Sequence, residues 1–225
     1  MSGALVEVRQ VTKQFGTSWA LNGLSLTLEP EKQYALQGPS GSGKSTLLYL
    51  LAGLDHPTAG EIIVDGQNLS YLDENAAYYR QQVVGLVFQF HFLLPTLNCL
   101  DNIYLPARIS GTPVAKISGE VQALAQELEV EACLKKFPYQ LSGGEQQRIN
   151  IIRALSLSPR LLLCDEPTGN LDSANAQKVA SLLAKLAAEK HMTLAVVTHD
   201  DAVASHFADR LYLRDGRLDE HPPKA

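Results

Sequence analysis

The stretch GPSGSGKST, Gly38 to Thr46, constrains this chain more than any other. It fits G-x-x-x-x-G-K-S in full from Gly38 to Ser45, directly after the apolar run YALQ and before the helical run STLLYLLAGL. Gly38, Gly41 and Gly43 free the backbone to wrap N–H groups around phosphates, with Pro39, Ser40, Ser42 and Thr46 completing the loop. Lys44 supplies a cation to the β- and γ-phosphates, and the Ser45 hydroxyl can ligate Mg²⁺. A loop of this kind works only where a strand hands over to a helix, so it predicts a nucleotide-binding α/β fold.

The rest of the chain agrees with that fold. With 225 residues, 45% hydrophobic and 19% charged, it suits one sizeable domain with an ample core. Apolar runs predict strands at Leu24 to Leu28, Tyr34 to Leu36, Glu61 to Val64, Gly85 to Phe88, Leu161 to Cys164, Leu194 to Val197 and Arg210 to Leu213. Asp215-Gly216 then reads as a hairpin turn. Between Gln89 and Pro159 strands give way to helices. Ile117, Val121, Leu124 and Leu128 share one helical face, as do Val179, Leu182, Leu183 and Leu186 further on. The pattern divides the domain into a nucleotide-binding core, 1–88 with 160–225, and a helical insertion, 89–159. Only the tail EHPPKA looks frayed.

Charge and cysteine usage narrow the setting. A net charge of −5 argues against a general nucleic-acid binder. The three cysteines, Cys99, Cys133 and Cys164, lack the paired spacing of a zinc site or a disulfide framework, which fits a reducing cytoplasm. No apolar run approaches the ~20 residues of a spanning helix, and MSGALVEVRQ has no signal-peptide core.

Three further stretches carry chemistry. In QLSGGEQQRINIIRAL, Ser142, Gly143, Gly144 and Glu145 open a helix whose first-turn N–H groups and dipole offer a second anion site. RLLLCDEPTGNLD ends an apolar strand on Asp165 and Glu166. Beside a phosphate loop the first acid can hold Mg²⁺ through its water shell and the second can polarise an attacking water. TLAVVTHD ends another strand on His199 and Asp200. Parallel α/β sheets bind ligands beyond the carboxyl ends of their strands, so Lys44, Glu166 and His199 are predicted to share one crevice. His56, His91, His191, His206 and His221 have no such company and read as structural or solvated.

Together these stretches resemble the nucleotide-binding subunit of ABC (ATP-binding cassette) transporters, from about Val6 to Leu218. GPSGSGKST is similar to the Walker A loop, Gln89 to the Q-loop, LSGGEQQR to the signature motif, LLLCDEP to the Walker B strand, NLD to the D-loop with Asp172, and His199 to the switch histidine. The resemblance implies a P-loop NTPase (RecA-like) core with an N-terminal antiparallel β region and an inserted α-helical subdomain. It implies an ATPase using ATP and Mg²⁺, the metal met by Ser45, Gln89 and, through water, Asp165. It implies head-to-tail pairing with a second copy, the signature residues of one chain closing on the other's ATP. It also implies a cytoplasmic position, peripheral on the inner face of a bacterial membrane. Phe15 falls where the family has an adenine-stacking tyrosine; the alternative is a strand-edge core aromatic.

DEPTGNLDS and VFQFHFLLPTLNCLDNIYLPARISG resemble the bacterial group that includes the LolD, MacB and FtsE ATPases, which drive separate membrane subunits. The permease subunits would dock near residues 89–102. Phe90, Phe92, Leu93, Leu94 and Leu97 either pack inside or line that groove. The competing reading is an ABC ATPase of an assembly or DNA-maintenance system with no membrane partner.

Overall fold

The computed structural model describes residues 2–71 and 76–219, so the EHPPKA tail lies outside the described residues. Its spine is a six-stranded sheet made of β3 (Gln33–Gln37), β6 (Val84–Phe88), β7 (Leu161–Asp165), β8 (Thr193–Val197), β9 (Asp209–Arg214) and β10 (Arg217–Leu218), in the order β10-β9-β3-β8-β7-β6. β9, β3, β8, β7 and β6 run parallel. A four-stranded antiparallel sheet packs against it, built from β1 (Val6–Phe15), β2 (Ser18–Leu28), β4 (Ala59–Val64) and β5 (Gln67–Asn68) in the order β2-β1-β4-β5.

The central strands carry continuous apolar runs, Tyr34 to Leu36, Leu161 to Cys164 and Leu194 to Val197, because both faces are covered. Leu161, Leu163, Ala195, Val197, Tyr34 and Leu36 point into the core shared with the antiparallel sheet and α1 (Lys44–Leu51). Their neighbours Leu162, Cys164, Leu194, Val196 and Ala35 point into a second core. That second core also holds residues of α3 (Cys99–Ser110), α4 (Val114–Glu127), α5 (Gly143–Leu155), α6 (Ser173–Glu189) and α7 (Asp201–Ala204). A short α2 (Ala76–Gln82) precedes β6. Ile117, Val121, Leu124 and Leu128 are buried as their spacing predicts, and so are Val179, Leu183 and Leu186, with Leu182 half-buried beside them.

All seven expected strands are present. The Asp215-Gly216 turn is a two-residue hairpin with both φ angles positive, 50° and 72°, joining β9 to β10. Sequence patterning misses β1, β5 and the first half of β2. In β1 the reason is local: Val6, Val8 and Val11 are all buried, but the pairing register breaks between Val8 and Val11, and Gln10 takes a positive φ of 49°. The inserted residue turns a period of two into a step of three, which hides the alternation. The cysteines are free and buried, and burial pushes all three thiols up.

Several helix starts are held by capping side chains. Asn98 accepts from the Asp101 N–H at the head of α3, and Asp172 accepts from the Asn175 N–H at the head of α6. α5 opens with a full capping box: Ser142 Oγ accepts from the Glu145 N–H, and Glu145 Oε2 accepts from the Ser142 N–H at 2.7 Å. The Ser142 hydroxyl and backbone bonds hold the Glu145 carboxyl well below its ordinary range, at about 2.

Two measurements check this local logic. Gly43 has φ 100°, and an added Cβ would stand 2.3 Å from the Ala20 carbonyl of β2, so Gly43→Ala combines strain with a backbone clash. It should cost about 1–3 kcal/mol, read as a fall in Tm of roughly 2–4 °C per kcal/mol. Because Glu145 is depressed in the folded state, its ionised form stabilises the fold above its ordinary value of 4.5, and that increment is lost as pH falls towards about 2. Glu145→Gln keeps an amide for the box without a titrating charge. Its urea midpoint should therefore fall less than that of the parent chain across that window.

Candidate functional site

Parallel pairing sets the site. Leu36 of β3 and Asp165 of β7 both stand opposite Val197 of β8, so the loops that follow these three strands leave from one edge of the sheet. The crevice they form has a volume of about 530 Å³. Lys44, Glu166 and His199 line it together, as the sequence predicts, and so do Gly38, Ser40, Gly41, Gly43, Ser45 and Thr46. Pro39 and Ser42 are not among the lining residues. The Pro39 carbonyl instead accepts from the Ser42 N–H at 3.2 Å, and Ser42 is buried beneath the loop.

The cationic and anionic groups are close and partly desolvated. The Lys44 ammonium donates to the carbonyls of Gly38 and Pro39 at 2.8 and 2.9 Å. Burial lowers its pKa, while the nearby Glu166 and Asp165 carboxylates act in the opposite sense. Ser45 Oγ donates to Asp165 Oδ1 at 2.9 Å, and Asp165 is itself buried. His199 Nδ1 lies 3.0 Å from both Glu166 oxygens. The histidine ring is exposed while Glu166 is mostly covered. Glu166 also has a positive φ of 47°, a conformation that costs a non-glycine residue about 1–3 kcal/mol. Its N–H donates to the Val197 carbonyl at 3.0 Å and its own carbonyl accepts from Gly169, so the turn that aims the acid is held from both sides.

Phe15 lines the same crevice with its ring 53% exposed and the Lys13 ammonium 5.0 Å from the ring centroid. The core-aromatic alternative for Phe15 is therefore not what the fold contains. Gln89 does not line the crevice. Its amide lies against Gly169, where an added Cβ would meet Nε2 at 2.8 Å, and its carbonyl accepts from Asn170 Nδ2. Ser142, Gly143, Gly144 and Glu145 are also outside the crevice. Ser142 and Gly143 are exposed, and a Cβ at Gly144 would meet nothing within 4 Å, so the first turn of α5 faces open space. The two phosphate cradles of one chain do not meet.

The apolar segment after Gln89 divides. Phe90, Phe92 and Leu94 are exposed, Leu93 packs against the helical core, and Leu97 is half-buried. That all five pack inside is thus excluded.

Sequence reading missed a polar stripe along α5. Gln147 and Asn150 are fully buried; Gln147 Nε2 donates to the Pro167 carbonyl at 2.7 Å, and Asn150 Nδ2 approaches the Phe88 carbonyl at 3.4 Å. Arg153 donates to the carbonyls of His91 and Phe92 at 2.6 and 2.8 Å, and burial lowers its guanidinium to about 10, which leaves it charged at neutral pH. The spacing of three between these residues, on the face an amphipathic helix would bury, was the available signal. Tyr49 gave none: its hydroxyl donates to Asp165 Oδ2 at 3.1 Å from within the apolar second half of α1, Leu47 to Leu51.

Known proteins agree with this geometry. The ABC transporter family profile matches residues 21–169. The chain is 40% identical over 220 residues to the lipoprotein-releasing system ATP-binding protein LolD of Geobacter metallireducens, covering 96% of this chain and 98% of the relative. It is 40% identical over 225 residues to LolD of Treponema denticola, covering 98% and 100%. The dimeric structure of MJ0796, a bacterial ABC transporter cassette, superposes with a TM-score of 0.87 at 35% identity, covering 96% of this chain and 97% of that one. A post-hydrolysis structure of the same cassette bound to ADP and Pi gives 0.84 at 38% identity, with the same coverage. A phosphate loop, an acid and a histidine converging on one crevice, within a fold shared along its length with these cassettes, make this chain a member of the ABC transporter family, the ATP-binding and ATP-hydrolysing subunit of a transporter.

Proposed function

We propose that this chain is the ATPase of a LolD-type lipoprotein-releasing machine, in which two copies pair head to tail on ATP and drive separate membrane subunits. The observation that carries the pairing is the separation of the two cradles. A single chain's signature turn is open and lies outside its own crevice, so Ser142, Gly143, Gly144 and Glu145 have an anion only if another copy brings one. The dimeric form of the MJ0796 cassette and the lipoprotein-releasing relatives support the same reading.

Within each composite site the loop from Gly38 to Thr46 wraps the phosphates and Lys44 neutralises them. Glu166 takes a proton from the attacking water, and His199, in contact with both its oxygens, holds that carboxylate and meets the γ-phosphate. The exposed Phe15 ring offers its face to adenine. The oxygen donors of Ser45 and Asp165, 2.9 Å apart, fit a hard cation, and Gln89 would offer a further oxygen. When bound, Mg²⁺ would supply charge neutralisation to the phosphates of ATP. Asp172, capping α6, would connect the two sites across the interface.

In this reading the core, 1–88 with 160–225, binds nucleotide, and the helical part, 89–159, carries the signature and the docking surface. No helix among the described residues is long and apolar enough to cross a membrane. In this reading, which the lipoprotein-releasing relatives support, the chain works from the inner, cytoplasmic face through permease subunits docked near residues 89–102. The exposed Phe90, Phe92 and Leu94 suit a short amphipathic helix of such a subunit.

Glu166→Gln should bind ATP, lose about 10²–10⁴ in hydrolysis rate and accumulate as an ATP-dependent dimer in gel filtration. A variant that remains monomeric and hydrolyses at the parent rate would sink the assignment. Phe92→Asp should keep its Tm and still bind ATP while failing to copurify with the membrane subunits in mild detergent. Normal copurification would remove Phe92 from the docking surface.

A further inference from the structure

Both oxygens of Asp165 are occupied by hydroxyl donors. Ser45 holds Oδ1 at 2.9 Å and Tyr49 holds Oδ2 at 3.1 Å, one helical turn apart on α1. A carboxylate has about four lone-pair sites, so neither bond exhausts its oxygen, but together they fix its orientation. The Tyr49 ring also continues into a series of aromatic contacts. Its centroid lies 6.4 Å from that of Phe88, Phe88 meets Phe92 edge-to-face at 5.4 Å, and Phe92 meets Phe90 at 6.4 Å. All three separations fall in the range at which rings attract beyond their buried area. Phe88 is in addition the cross-strand partner of Asp165.

The outer end of this series is held under strain. Phe92 takes a positive φ of 47°, unfavourable for a bulky side chain, and Arg153 of α5 grips its carbonyl and that of His91. Phe92 is 65% exposed. One end of the series thus touches the carboxylate of the metal site, and the other is an exposed ring tied to the signature helix.

We propose that Tyr49 is a positioning residue for Asp165, and that its contact through Phe88 with Phe92 ties the orientation of this carboxylate to the docking surface. This rests on the reading above, in which Asp165 serves Mg²⁺ and the aromatic patch receives a membrane subunit. Whatever moves Phe92 tilts Phe88 and Tyr49, and through the Tyr49 hydroxyl it turns the oxygen that the metal's water shell must meet. Outer partners of metal-site carboxylates commonly set metal affinity in this way.

The test uses the full chain and a non-hydrolysable ATP analogue, whose affinity is measured by calorimetry with saturating Mg²⁺ and with EDTA. The ratio of the two affinities isolates the metal's contribution. Tyr49→Phe keeps the ring and removes only the hydroxyl; it should lower the ratio about tenfold and leave the EDTA affinity unchanged. Phe92→Ala, outside the crevice, should lower the ratio about twofold or more in the parent chain and have no effect in the Tyr49→Phe background. A parent-like ratio in Tyr49→Phe overturns the positioning role, and additive effects of the two substitutions overturn the connection. Equal loss of affinity in EDTA and Mg²⁺ would mark Tyr49 as merely structural and overturn the proposal as well. Asp165→Asn separates the underlying reading: if it retains the full ratio, Asp165 does not serve the metal and both fall together.

Discussion

Everything at the site depends on the parallel pairing of three strands. β3, β8 and β7 are neighbours with a common direction, so a loop of backbone amides, an acid and a histidine emerge side by side although more than 150 residues separate the first from the last in sequence. Parallel strands need covered faces, and the two apolar cores supply them. The antiparallel sheet therefore does more than shield one face. It brings β2 against Gly43, where only a hydrogen fits beside the Ala20 carbonyl, and carries Phe15 to the mouth of the crevice.

A second arrangement follows from α5. Its first turn presents the signature residues, its middle touches the segment after Glu166 through Gln147, and its last turns hold the aromatic segment through Arg153. A half-buried arginine that answers two backbone carbonyls is a rigid clamp, because its planar fork loses little freedom for each bond made. One helix thus carries three different messages about the state of the molecule.

Much of this was legible in the sequence because the chemistry demands fixed residues at fixed spacing. Phosphate-wrapping glycines, Lys44 and Ser45, and the acids and histidine closing apolar strands follow from the requirements of nucleotide binding whatever surrounds them. The parallel strands were legible for a related reason, since burial on both faces leaves continuous apolar runs. What escaped depends on three-dimensional partners. The irregular register of β1 conceals its buried valines, Tyr49 reads as one more apolar position of α1, and Gln89 gives no sign that its amide rests on Gly169. The split of the aromatic segment into exposed Phe90, Phe92 and Leu94 and packed Leu93 could not be read at all. A run of similar residues leaving a strand carries no period until the turn at Phe92 sets which side each one takes.

The second hydrophobic core has a bearing on how such a machine moves. Ile103, Leu124 and Ile149 from the helical part share one continuous apolar cluster with Leu162, Val196 and Leu183 from the sheet and its covering helix. A region welded in this way does not swing as a loosely tethered body, since parting it from the sheet would open well-packed apolar contacts to water. The shared cluster couples the helical part to the sheet in any movement, and any loosening of one is felt by the packing of the other. The transmission of movement and the stability of the fold then draw on the same buried side chains.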